Sequence, residues 1–140
     1  MSNKPKETWG VGAPYERYVG RWSRPVAREF LDWLASTDGS AWVDVGCGTG
    51  ALLEGILTRC APQTVLGIDR SEGFIAAARH NIVDARARFE VGDAMNLPVD
   101  AATYDVTVSG LVLNFVTDPA AMVREMIRVT KPGGKVAAYV

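Results

Sequence analysis

Between Val43 and Gly50 the chain reads Val-Asp-Val-Gly-Cys-Gly-Thr-Gly. This stretch constrains the fold most, because the hydrophobic period changes across it. Ala41 to Val45 is a short apolar run of strand type. Leu52, Leu53, Ile56 and Leu57 then follow at helical spacing. The glycines between them punctuate the change. The segment is therefore read as a strand, a tight turn and a helix from about Thr49 to Cys60. Glycine has no side chain to keep a ligand away and adopts positive φ without strain. The turn also aims the first N–H groups of the helix at whatever sits there.

Two ligands compete for such a turn. Gly46, Gly48 and Ala51 fit the dinucleotide fingerprint, in which an acid about 20 residues on would take the ribose. In the second reading the ligand is S-adenosylmethionine. Gly46, Gly48 and Gly50 then matter, with Asp44 two residues before the first. A tight turn with no ligand is the third reading.

The rest of the chain alternates strand and helix. Ser23 is read as an N-cap with Pro25 in the first turn of a helix to about Ala35, carrying Val26, Phe30, Trp33 and Leu34 on one side. Strands are predicted at Thr64 to Ile68, Ala87 to Val91, Tyr104 to Ser109 and Lys135 to Val140. Helices are predicted from Ser71, an N-cap, to His80, and from Asp118-Pro119 to a stop at Lys131-Pro132-Gly133-Gly134. Such alternation implies an α/β fold with parallel strands, right-handed crossovers and helices on both faces. Ligands in these sheets bind beyond the carboxyl ends of the strands. Asp44, Gly46, Asp69, Asp93 and Ser109-Gly110 all fall at such ends. Asp69 follows Gly46 by 23 residues and Asp93 follows Asp69 by 24. A carboxylate facing vicinal hydroxyls accepts two charge-assisted hydrogen bonds. A second one beside a free N–H can read an adenine edge. A lone aspartate there can equally be a turn or helix cap.

Composition narrows the classes. The 140 residues suit one domain or part of one, 48% apolar and 22% charged, enough for a packed core. Fifteen basic against sixteen acidic residues leave a net charge of −1, and no basic tract marks a nucleic-acid partner. No apolar run approaches the ~20 residues of a membrane span, so no membrane partner is expected. The polar Met1 to Glu7 stretch is no secretory signal. Cys47 and Cys60 form neither a disulfide framework nor a metal site, and a cytoplasmic setting is inferred.

With these segments in view, the chain resembles the class I S-adenosylmethionine-dependent methyltransferases, in their small-molecule group with the Asp-x-Gly-x-Gly-x-Gly loop. The likeness covers about residues 14 to 140. It rests on Val43 to Gly50, Gly67-Ile-Asp-Arg-Ser71, Gly92-Asp-Ala-Met-Asn-Leu-Pro98, Tyr104 to Gly110 and Arg128 to Lys135. The resemblance implies a Rossmann-like doubly wound sheet in the order 3-2-1-4-5, with residues 1 to 13 as a flexible lead-in. It implies that Gly46, Gly48 and Gly50 admit the methionine part and that Asp44 organises the loop and the nearby amino group. Asp69 would hold the ribose, Arg70 lie along the adenine, and Asp93 with Ala94 read the adenine edge. Ser109 would offer its carbonyl near the ammonium, with Tyr15 and Arg21 closing over the cofactor. The dinucleotide reading assigns nothing to Asp93-Ala94 and gives no reason for Asp44.

The implied reaction is displacement at a sulfonium methyl, in which the protein positions and desolvates the acceptor. No catalytic base is assigned. His80 sits at a predicted helix end, and Asn114 and Phe115 lie where this fold faces its acceptor. The chain lacks the Asn/Asp-Pro-Pro-Tyr motif of amino-methylating DNA enzymes, the Pro-Cys of cytosine enzymes and the paired glutamates of arginine methyltransferases. A small-molecule acceptor is the residual reading. The full fold carries an antiparallel hairpin beside strand five, so an N-terminal portion of a longer enzyme, exposing the strand-five edge to self-association, is expected. The alternatives are a nicotinamide-dependent oxidoreductase domain and a non-catalytic module that pairs through that edge.

Overall fold

The structure, a computed structural model, describes residues 13–140, with side chains from Ser23 onward. The elements are α1 (Ala13–Leu34), β1 (Ala41–Val45), α2 (Ala51–Arg59), β2 (Thr64–Asp69) and α3 (Glu72–Asn81), followed by β3 (Ala87–Val91), β4 (Tyr104–Gly110), α4 (Pro119–Val129) and β5 (Thr130–Tyr139). The strands form one sheet in the order β3-β2-β1-β4-β5, and each neighbouring pair is parallel. This is the parallel α/β architecture expected from the alternation of periods, in the Rossmann-like order that the resemblance implied. Residues 1–12 of the expected lead-in lie outside the described residues, and Ala13 already belongs to α1.

Alternation along the strands divides the core in two. Trp42, Val65, Phe89, Val106 and Val108 face one side, against Phe30 and Leu31 of α1, Leu53 and Ile56 of α2, and Ile75 and Ala78 of α3. Val43, Val45, Leu66 and Ile68 face the other, against Met122, Met126 and Val129 of α4. Ser71 caps α3 by accepting from the Phe74 N–H, and Asp118 caps α4 by accepting from the Ala121 N–H. His80 lies in the last turn of α3, at the amino edge of the sheet and away from the strand tips.

Three expectations are corrected. Ser23 is not an N-cap, because α1 runs through it from Ala13 and places Pro25 inside the helix. The buried stripe of α1 is Ala27, Phe30, Leu31 and Leu34, while Val26 and Trp33 are exposed. The stripe follows the i, i+3, i+4, i+7 spacing from Ala27, which Val26 and Trp33 do not share. Strand five also begins earlier than Lys135. Tyr104 pairs with Thr130 and Val106 with Lys135, so Lys131-Pro132-Gly133-Gly134 is a bulge inside β5. Gly133, at φ 84, supplies its left-handed residue. Lys135 then reaches across to the Leu34 and Ala35 carbonyls at 2.9 and 3.2 Å, capping the C-terminus of α1.

The segment between β3 and β4 is clamped to α4. Glu125 accepts from the Leu97 N–H at 2.8 Å, and Arg128 donates to the Leu97 and Val99 carbonyls at 3.1 Å each. Gly67 in β2 matters most for the site, because a Cβ there would lie 2.9 Å from both Cys47 Sγ and Leu53 Cδ1 and 3.0 Å from Phe89 Cδ1. Its missing side chain lets the turn after β1 lie against β2. Gly67→Ala is expected to cost about 1–3 kcal/mol through overpacking, read as a lower urea midpoint at unchanged m-value.

Candidate cofactor site

β1 delivers Asp44 to the carboxyl edge one residue before its last, on the α2 side by alternation with Val43 and Val45. There the carboxylate is 1% exposed. Neither oxygen has a hydrogen-bond partner. Burial pushes its pKa up to about 8, with the charge of Asp69 adding to the shift. A cleft opens beside it. Ser23, Gly46, Gly48, Thr49, Ala51 and Tyr139 are among the residues that line the cleft with Asp44.

The glycine turn is held from below. Ile68, near the end of β2, accepts from the Gly46 N–H at 2.7 Å and the Cys47 N–H at 2.9 Å. Gly48 donates to Asp69 Oδ2 at 2.9 Å. This path requires positive φ at Gly46, Gly48 and Gly50, at 75, 58 and 102°. Side chains are also excluded by space: a Cβ at Gly46 would meet Val112 at 2.5 Å, and one at Gly50 would meet Ile82 at 2.4 Å. Several turn amides are thus engaged inside the protein rather than aimed outward. The N-terminus of α2, by contrast, has no side-chain cap.

Asp69 accepts a second amide, from Ser71, at 2.9 Å on its other oxygen. A carboxylate has about four lone-pair sites, so each oxygen retains capacity for a further donor. Asp93 lies two residues beyond Val91, the β3 partner of Asp69, which brings the two acids to neighbouring strand ends. It is exposed and forms a tight turn, taking the Met95 N–H on Oδ1 at 2.9 Å. Ser109 donates its hydroxyl to the Val45 carbonyl at 2.7 Å, tying the tip of β4 to that of β1.

Asp44, Gly46 and Gly48 therefore share one cleft, and Asp69 is bonded directly to the loop. Gly50 is the α2 cap residue. Arg70 and Asp93 are exposed along the same edge, and Ala94 is half-buried on the α4 side. The side chains of Tyr15 and Arg21 lie outside the described residues. Sequence reasoning missed Ser23 and Tyr139 as lining residues. Tyr139 had a signal: counted along parallel strands, it falls level with Gly110 at the carboxyl edge.

Residues 43–138 match the family of methyltransferase domains. The chain is 38% identical over 95 residues to a demethylmenaquinone methyltransferase of Roseiflexus castenholzii, covering 68% of this chain and 40% of that protein. It is 33% identical over 126 residues to a trans-aconitate 2-methyltransferase of Variovorax paradoxus, covering 89% and 47%. Among solved structures, an S-adenosylmethionine-dependent methyltransferase of Mesorhizobium loti superposes with a TM-score of 0.67 at 31% identity, covering 79% and 49%. The chain thus spans about half or less of the length of these proteins.

The Asp44 carboxyl gives a pH signature. Its folded pKa, about 8, stands above its ordinary value of 3.8. Between those values the folded protein keeps a proton that the unfolded chain releases. The associated stability is complete below about pH 4 and is lost as pH rises towards 8. Asp44→Asn is expected to remove this slope, on the order of 1 kcal/mol per pH unit, in urea denaturation series at pH 5, 6.5 and 8.

Proposed function

The chain belongs to the methyltransferase-domain family, class I by its fold, and from that premise we propose that it binds S-adenosylmethionine in the Asp44 cleft for methyl transfer to a small-molecule acceptor. The observation that carries the reading is the buried Asp44 carboxylate, whose oxygens have no partner. An isolated carboxylate away from water is costly, so burial keeps this carboxyl protonated, and a cationic ligand group beside it favours its ionisation. The amino-acid end of this cofactor carries such a group. The glycine turn fits the same ligand, because Gly46 and Gly48 line the cleft beside Asp44 with bare backbone.

When bound, the cofactor supplies a methyl group on a sulfonium, an electrophile that needs no further activation. The remaining work falls to the chain. The Asp44 side of the cleft holds the cationic end. Asp69, already fixed by two backbone amides, accepts from the ribose hydroxyls with the lone pairs left to it. Arg70, Asp93 and Ala94 take the adenine, and Ser109 holds the β4 tip level with the loop. The acceptor enters past Asn114 and Phe115, both exposed in the segment after β4. That segment and the cofactor cleft together exclude water from the transfer line. Tyr15 and Arg21 are proposed to close over the cofactor. The domain is taken as residues 14–140.

Cys47 and Cys60 are both free and buried, which supports a reducing, cytoplasmic setting. No helix among the described residues is long and apolar enough to cross a membrane. The outer edge of β5 has no neighbouring strand among the described residues, which favours strand pairing there as a second reading.

Calorimetric titration is expected to give binding of S-adenosylhomocysteine and none of NAD; the reverse result overturns the proposal. Asp69→Ala is expected to weaken S-adenosylhomocysteine by about 1.5–3 kcal/mol. Asp69→Asn, which keeps an acceptor for one of the two amides, is expected to lose less.

A further inference from the structure

Resting on the cofactor reading above, we propose that Tyr139 is a positioning residue whose ring, together with the Asp44 carboxylate, forms a seat for the cofactor's α-ammonium group. Tyr139 ends β5 and pairs with Gly110 at the tip of β4. Its ring lies directly on that glycine, since a Cβ at Gly110 would fall 2.5 Å from both Tyr139 Cζ and Oη. Phe30 of α1 also contacts the ring, with centroids 4.8 Å apart and planes at 58°. The Tyr139 carbonyl accepts the Leu111 N–H at 2.9 Å. That bond holds Leu111 at φ 62, a conformation costly for a branched side chain. Tyr139, Gly110 and Leu111 line the same cleft as Asp44 and the glycine turn.

Separate strands thus bring two groups with one shared preference to a single cleft. The face of an aromatic ring is electronegative and attracts cations. A buried carboxyl without a partner does so more strongly once a cation beside it favours its ionisation. The bare Gly110 is explained by the same arrangement, because any side chain there displaces the ring.

The test compares two ligands that share the adenosine end. S-adenosylhomocysteine carries the amino-acid end, and 5′-methylthioadenosine lacks it. In calorimetric titrations Tyr139→Leu is expected to weaken S-adenosylhomocysteine about tenfold while changing 5′-methylthioadenosine less than twofold. Tyr139→Phe, which keeps the ring, is expected to recover most of that loss. Gly110→Ala, which pushes the ring aside, is expected to reproduce it. A purely structural role for Tyr139 would lower both affinities together. Equal losses for the two ligands, or none for S-adenosylhomocysteine, overturn the proposal. A Tyr139→Leu protein that fails to fold is recognised by its circular dichroism, and Gly110→Ala against Tyr139→Phe then decides. If the unaltered chain binds neither ligand, the cofactor reading falls and the Tyr139 seat with it.

Discussion

The Gly48 N–H donates to the Asp69 carboxylate at 2.9 Å, and the rest of the site depends on this contact. It fastens the turn after β1 to the end of β2, beside the two amides that Ile68 accepts. Those bonds draw the backbone sideways over β2. The path forces the left-handed residues at Gly46, Gly48 and Gly50. It also brings the turn so close to Gly67 that no side chain fits there. α2 starts where the turn ends, so its buried face and its open N-terminus are both set by the same contact. One carboxylate therefore organises the loop while keeping lone pairs for a ligand.

Two costs in this structure lie at the same edge. Asp44 is buried without partners, and Leu111 takes a left-handed conformation. Either feature costs on the order of 1–3 kcal/mol where packing does not compensate. Both sit on strand ends that are strongly held. Ser109 bridges β4 to β1, and the Leu111 amide is taken by Tyr139. Burial on both sheet faces supplies the stability that lets the edge remain unfavourable on its own. A ligand with a cationic end would convert the largest of these costs into a contact.

Most of the fold was legible because each strand is a short apolar run ended by a residue that breaks the run. β1 and β3 have the expected limits, and β2 and β4 differ only in including Asp69 and Gly110. The caps at Ser71 and Asp118 were legible for a similar reason, since their side chains act on amides three residues away. The errors share a different cause. Ser23-Arg-Pro25 has the local chemistry of a helix start, yet α1 continues through it. Lys131 to Gly134 has the chemistry of a break, yet β4 captures residues on both sides and turns the break into a bulge.

By itself the sequence determined the α/β alternation, the left-handed turn and the acids at the strand ends. Each of these is encoded in residues next to one another, through period, φ preference and short-range hydrogen bonding. Tertiary structure alone decided that Asp44 would be stripped of water and partners, that Asp69 would hold Gly48, and that Tyr139 would lie on Gly110 beside the cleft. These depend on sheet order and register, which place residues from distant parts of the chain within a few ångströms. No local pattern carries that information, because burial and contact across a sheet exist only once the strands have paired.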